Sequence, residues 1–293
     1  MTTTDTPLLQ IAGRSVRAVI ILLISGLLGA ALIRMAPGAD VDEQDLDPRL
    51  STESVESLRR EHAGERNPLT FYPRFIAGLL RGDAGRSRLF GQPVAQLIGE
   101  RIPTTVRSVV TGLIAGWCAA LLLAGVSVIY RSAAPLLIST LLSGALLSVP
   151  SAVIAVVCLL LDLPPSAAIA AVVFPRVFPH AYQQLRAGLA QPHVTMARAK
   201  GLSGARVFFW HVVPAGFGPM LALAGVSITL AFSASIPVEA LADSPGVGQL
   251  AWRAALGRDI PLLVTITLLL TGVTLVANLL SDIAMLRVRV RAI

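Results

Sequence analysis

The sequence predicts an all-α polytopic membrane protein with six transmembrane helices, and three observations carry that reading. The chain is oily: 54% of its 293 residues are hydrophobic, 14% are charged and the mean hydropathy is +0.73, against about 25% charged residues in soluble domains. Its apolar residues gather into uncharged runs at 18–33, 108–130, 132–161, 163–175, 207–238 and 260–281, most of them near the ~20 residues that cross a bilayer's hydrocarbon. The basic residues concentrate in alternate connections between these runs, as the positive-inside rule requires.

The first run is short because Arg17 and Arg34 close it, but arginines at span ends snorkel to the interface. No early basic region precedes it and no small-residue cleavage pattern follows, so the run is expected to stay in the chain. Residues 36–104 then form an extracytoplasmic segment. Its first half is acidic and polar, with Ser51 or Thr52 placed to cap a short helix carrying Val55 and Leu58. "LTFYPRFIAGLLRG" at 69–82 reads as an amphipathic segment on the outer membrane surface. The remaining five runs make a five-helix core, 105–293, with a cytoplasmic loop at 186–213. The fourth run reaches full length only if it continues past Arg176, Pro179 and His180 to about Leu185. Cys118 and Cys158 both sit in apolar runs, where a free cysteine behaves as a small hydrophobe.

Arg14 and Arg17 precede the first run, Arg131 follows the second, Arg186, Arg198, Lys200 and Arg206 join the fourth to the fifth, and Arg287, Arg289 and Arg291 end the chain. Asp162, Glu239, Asp243 and Asp259 lie in the other connections. Both termini are therefore expected in the cytoplasm. The net charge of +7 follows from topology and requires no nucleic-acid surface.

No enzyme constellation is visible. Lys200 is the one lysine and Gly201 follows it, so no G-x-x-x-x-G-K-[ST] phosphate loop exists in the chain. His62, His180, His193 and His211 lack metal-ligand spacing, and G-x-S-x-G is absent.

"TMARAKGLSGARVFFWHVVP" at 195–214 is a polar, basic stretch in an oily chain. Val194 to Lys200 carries helix formers with its cations in the last turn, where they suit the helix dipole. Gly201 is a natural left-handed C′ residue, and Ser203 a natural N-cap of a second helix running toward Phe208. A helix–glycine–helix elbow is expected. A plain reading makes it an ordinary positive-inside loop.

"ARAKGL" at 197–202, followed by His211 and Pro219, resembles the cytoplasmic coupling (EAA) loop of binding-protein-dependent ABC importer permeases, in the dipeptide/oligopeptide/nickel branch of DppB or OppB type. The resemblance continues in family order through "APG" at 36–38, "GLLRGDAGRS" at 78–87, "GQPVAQLIGERIPTTV" at 91–106, "SPGVGQL" at 244–250 and "GRDIPLL" at 257–263. Pro192 and His193 stand where the family carries an acidic residue and a tyrosine, and Pro179 and Tyr182 where it carries arginines.

The resemblance implies a MetI-like permease fold in the cytoplasmic membrane of a prokaryote. It implies no cofactor in this chain, ATP and Mg being bound by two separate ABC ATPases. The other partners implied are a homologous second permease, an extracytoplasmic substrate-binding protein and membrane lipid. It assigns ATPase coupling to Ala197, Arg198, Ala199, Lys200, Gly201, Leu202 and His211. The surface receiving the binding protein would include Glu239, Pro245, Gly246 and Gly248. Short peptides are the first substrate class implied, and nickel chelates the second.

Pathway candidates are Ser227, Thr229, Ser233 and Ser235, which equally suit helix packing, and Arg176. At 1.5 Å per residue Arg176 lies roughly 18 Å into the fourth run. It either snorkels toward the cytoplasm or lines the pathway. The rival class is a secondary transporter or channel, which needs a carboxylate near the midplane; Asp162 and Asp282 sit at span ends.

Overall fold

The computed structural model describes residues 7–35, 68–130 and 133–291. The short helix expected near Ser51 lies outside them. The order is α1 (Pro7–Met35), α2 (Pro68–Leu80), α3 (Val94–Ile129), α4 (Ala133–Ser148), α5 (Ser151–Leu160), α6 (Pro165–Leu189), α7 (Pro192–Ala199), α8 (Gly204–Val207), a π-helical turn (Phe208–Val212), α9 (Val213–Ala215), α10 (Phe217–Leu241), α11 (Val247–Leu256) and α12 (Ile260–Arg291). Among the described residues the only β pairing is an isolated antiparallel bridge, Arg86 to Pro93.

Among the described residues three helices are long and apolar enough to cross a membrane: α3, α10 and α12 through Met285. The α4–α5 pair makes a fourth if it counts as one broken span. Ile114, Leu122, Val226 and Leu280 are all more than half exposed on these helices, a distribution that suits a lipid surround and would be an interaction or aggregation liability in water.

The structure departs from the expected runs at four places. The third run is no straight rod, because its two helices meet at 108°. Pro150 at the break is extended (φ −58°, ψ 143°), and a proline ring cannot continue a helix past the carbonyl four residues back. The fifth run enters α10 only at Phe217; its first ten residues belong to the elbow. The fourth run does continue as a helix past Arg176 to Leu189, yet its polar residues leave it outside the set apolar enough to span. The first run is helical, but its apolar stretch covers only Ser15–Gly29.

The chain divides into two compact units. One comprises 1–102 and 250–273. Within it the amphipathic α2 puts Tyr72 and Phe75 into a cluster with Ile260, Val264 and Leu268, supported by Leu22 and Leu27 of α1. The Tyr72 hydroxyl donates to the Leu23 carbonyl at 2.8 Å, and burial pushes its pKa up, which keeps it a donor. Gly26 lets the ring approach: a Cβ there would stand 2.5 Å from the Tyr72 hydroxyl oxygen. So the apolar face of 69–82 is turned onto helices.

The other unit comprises 103–249 and 274–293. Its core gathers Val109, Ile154, Ile169, Val177, Phe178 and Val194, with α6 packed along α4, α5 and α10. Along α6 the rings of Phe174, Phe178 and Tyr182 stack in series at 5.8 and 6.4 Å. Gly112 and Gly116 of α3 form a notch for α6: a Cβ at Gly112 would sit 2.7 Å from that of Ile169.

Candidate functional site

The elbow is built from local backbone chemistry. Gln191 is extended (φ −69°, ψ 141°) and Pro192 opens α7 at N1, where its missing N–H costs nothing and its fixed φ suits the helix. At the other end Lys200 is the C-cap and Gly201 has φ +78°. The Gly201 N–H donates to the Arg198 carbonyl at 2.9 Å, and the Leu202 N–H to the Ala197 carbonyl at 3.3 Å. These two bonds are the Schellman pattern that ends a helix through a left-handed residue. Its hydrophobic contact is present too, since Leu202 packs against the core that contains buried Ala197. The elbow expected from sequence forms, with Gly201 at its turn.

α7 and its C-cap expose Pro192, His193, Thr195, Met196, Arg198, Ala199 and Lys200. Val194 and Ala197 are buried beneath, so the helix is fixed by one face and presents the other. Ser203 has the extended backbone of an N-cap (φ −59°, ψ 147°) but its hydroxyl makes no capping bond. The expected second helix runs as α8 for only four residues, then widens so that the Val213 N–H bonds the Phe208 carbonyl five residues back. The cause is Pro214, which supplies no N–H and whose ring would strike the Trp210 carbonyl in a regular α-helix. His211 lies in this π turn. Its carbonyl accepts from His193 Nε2 at 3.3 Å, with the two rings 6.2 Å apart. Thus α7 is braced to the turn by a side chain that sequence reasoning had noted only as a departure.

Glu239, in the last turn of α10, is fully buried. Its Oε2 accepts from the Thr105 hydroxyl at 3.0 Å and from the Gly248 N–H at 2.8 Å; Oε1 lies 3.3 Å from the Ser108 hydroxyl. Thr105 in turn accepts the Val247 N–H at 2.7 Å. One carboxylate therefore ties α10 to α3 and to the first turn of α11, where amides without an intrahelical acceptor and the helix dipole favour an anion. The glycines of "SPGVGQL" are spatially required. A Cβ on Gly246 would overlap the Glu239 carboxylate, and one on Gly248 would stand 2.6 Å from the Ser235 carbonyl oxygen. Pro245 is exposed beside them.

A second buried carboxylate, Asp259, caps α12. Its Oδ1 accepts the Leu262 N–H at 3.2 Å, while Oδ2 takes the Ser87 hydroxyl at 2.5 Å and the Leu89 N–H at 3.1 Å. It anchors the glycine-rich turn of residues 81–93. Sequence reasoning missed Thr105, Ser108, Ser87 and Asp259; the i, i+3 spacing of Thr105 and Ser108 and an Asp two residues before Pro261 were the available signals.

Of the pathway candidates, Ser227 and Ser235 are buried and donate to their own helix, to Leu223 at 2.8 Å and Phe232 at 2.8 Å. Thr229 donates to Gly225 at 3.2 Å and accepts from Asn278 at 3.4 Å. Ser233 and Arg176 are exposed. Among the described residues no group of three or more His, Cys, Asp or Glu side chains is placed to hold a metal.

Residues 112–292 match the family of binding-protein-dependent transport system inner membrane components. The chain is similar to a putative peptide transport system permease protein of Brucella abortus, 27% identical over 306 residues that cover 92% of this chain and 94% of the relative. A probable peptide ABC transporter permease protein of Sinorhizobium fredii is 26% identical over 92% of this chain and 95% of its own length. The dipeptide transport system permease protein DppB of Lactococcus lactis is 24% identical over 81% of this chain and 84% of its own.

Proposed function

The chain belongs to the binding-protein-dependent transport inner-membrane family, in its peptide ABC permease branch, as a multi-pass plasma-membrane protein, and from that premise we propose that it forms half of an importer's translocation pathway for short peptides. The observation that carries the reading is the elbow: a helix fixed through its buried face, ended by a glycine turn, braced by His193, and presenting Arg198 and Lys200 outward. A contact that must transmit force needs a stiff lever with a set bend, and an unstructured topological loop needs neither.

In this account a partner ATPase binds ATP and Mg and seats α7 in a groove. Its closure moves the elbow together with α6 and α10, to which the elbow is joined on either side. A homologous permease supplies the other half of the path. Both termini are cytoplasmic, and six membrane-crossing segments are formed when α1, the bent α4–α5 pair and α6 are counted with α3, α10 and α12. The turn at residues 81–93 and the exposed Pro245 that leads into α11, each held by a nearby buried carboxylate, offer preformed surfaces to an extracytoplasmic binding protein. Peptides are favoured over nickel chelates because the relatives above carry peptide or dipeptide transport in their names.

The test is reconstitution. Purified alone, the chain neither hydrolyses ATP nor transports; with the second permease, the ATPases and a binding protein it imports peptides at the expense of ATP. Robust ATP hydrolysis by the isolated chain would overturn the reading.

A further inference from the structure

On α6, Arg176, His180 and Gln183 recur at i, i+4 and i+7, one face of a helix, and all three are exposed. Phe174, Val177, Phe178 and Ala181 on the other side are buried in the core. Two close approaches set the depth of this polar face. Near the middle of α3, a Cβ on Gly116 would stand 3.1 Å from the Ala170 carbonyl and from Val173. At the start of α10, one on Gly216 would stand 3.3 Å from Gln184. Arg176 is three residues beyond Val173 and eight before Gln184, so it lies about 4.5 Å from the first level and about 12 Å from the second. Since α3 and α10 are both long and apolar enough to span, the guanidinium sits well inside a hydrocarbon slab about 30 Å thick.

An arginine at that depth does not face lipid; such charges face a bundle interior or a water-filled cavity. Among the described residues no carboxylate is bonded to it. His180 Nδ1 is 2.9 Å from the Arg176 carbonyl. A carbonyl only accepts, so Nδ1 donates in this contact. The face thus presents a guanidinium, then an imidazole, then an amide that both donates and accepts.

We propose that this face of α6 is a water-filled wall of the translocation path and that Arg176 takes the carboxylate of the passing peptide. The proposal rests on the peptide-permease reading above. The planar guanidinium fork fits a carboxylate bidentately, and the C-terminal carboxylate is a group that linear peptides share whatever their side chains. A wall built on it discriminates little between sequences, and the binding protein is left to choose.

The experiment uses the assembled importer with one binding protein throughout. Uptake of a tripeptide is compared with uptake of its C-terminal amide. The acid-to-amide ratio is expected to fall about tenfold in Arg176→Gln and about threefold in Arg176→Lys, which keeps the charge for assembly and loses the fork. In a Cys118→Ala, Cys158→Ala background, Gln183→Cys should react with a hydrophilic thiol reagent and be protected by saturating peptide. An unchanged ratio in both arginine variants, or an unreactive Gln183→Cys, overturns the proposal; burial of Arg176 against an acid of the second permease would give that pair of results. A wild-type complex that couples ATP to import of another solute but of no peptide refutes the peptide reading instead, and the Gln183→Cys labelling still reports on the wall.

Discussion

Replacing Glu239 by alanine removes the acceptor of the Gly248 N–H and of the Thr105 hydroxyl, and one of two acceptors within reach of the Ser108 hydroxyl. Ser108 can turn to the Thr105 carbonyl at 3.1 Å, but the amide has no second partner to rotate toward. An orphaned buried donor costs about 1–3 kcal/mol. With the Gly248 and Gln249 amides and the Thr105 hydroxyl deprived of this acceptor and a carboxymethyl void beside them, Glu239→Ala should destabilise by roughly 2–4 kcal/mol. Glutamine is a different perturbation. Its carbonyl can serve Thr105 and Gly248 while its amide donates to the Ser108 oxygen, so the geometry survives and the cost should be about 1 kcal/mol. The assay is thermal unfolding of the purified chain in detergent, read by a thiol-reactive fluorophore at buried Cys158 in a Cys118→Ala background. At roughly 2–4 °C per kcal/mol, alanine should lower the apparent midpoint by about 4–16 °C and glutamine by less than about 4 °C. An alanine variant that melts with wild type would refute the tie. Equal damage from glutamine and alanine would mean that the charge matters and the hydrogen-bond geometry does not.

Three further outcomes follow from particular contacts. Gly112→Ala, whose new Cβ would lie 2.7 Å from Ile169 Cβ and 2.8 Å from the Ser166 carbonyl, should cost roughly 1–3 kcal/mol by overpacking, and Gly116→Ala, at 3.1 Å, should cost less; the same melting assay ranks them. Asp259→Ala removes the α12 cap and frees the turn that it anchors, at about 1–2 kcal/mol, so native-state trypsin cleavage after Arg86 and Arg88 should accelerate roughly tenfold, and an unchanged cleavage rate would contradict the anchoring. In intact cells Ser244→Cys should react with an impermeant thiol reagent and Ser203→Cys should not; the reverse would overturn the topology.

Much of the fold was written in charge spacing. The uncharged runs located the long apolar helices because a bilayer demands about 20 residues without charge, a requirement that needs no tertiary information. The failures occur where backbone chemistry acts inside such a run. Pro150 breaks the third run and Pro214 delays the fifth, and hydropathy is blind to both because proline interrupts a helix without adding charge. The elbow was legible because a left-handed turn is a property of one residue, Gly201, and its neighbours. The Ser203 hydroxyl was misjudged because a cap also depends on a rotamer. Thr105 and Ser108 could not be assigned to Glu239 from sequence, since more than a hundred residues separate them and only the packing of α3 on α10 brings them together.

The measurement that tests the account most directly is uptake and ATP hydrolysis by the assembled importer carrying Gly201→Val. Nothing lies within 4 Å of a Cβ at this position, and φ is +78°, so the substitution clashes with no neighbour and acts through the backbone alone. A β-branched residue resists the left-handed conformation by about 1–2 kcal/mol or more, which unwinds the Schellman turn and re-aims α7 against the turn that follows. Insertion, orientation and complex assembly should match wild type, and ATP hydrolysis should continue. Uptake per ATP hydrolysed should fall at least about tenfold. Full coupled uptake by Gly201→Val, with orientation verified by labelling, would contradict the claim that this elbow carries the motion and would return it to an ordinary basic loop.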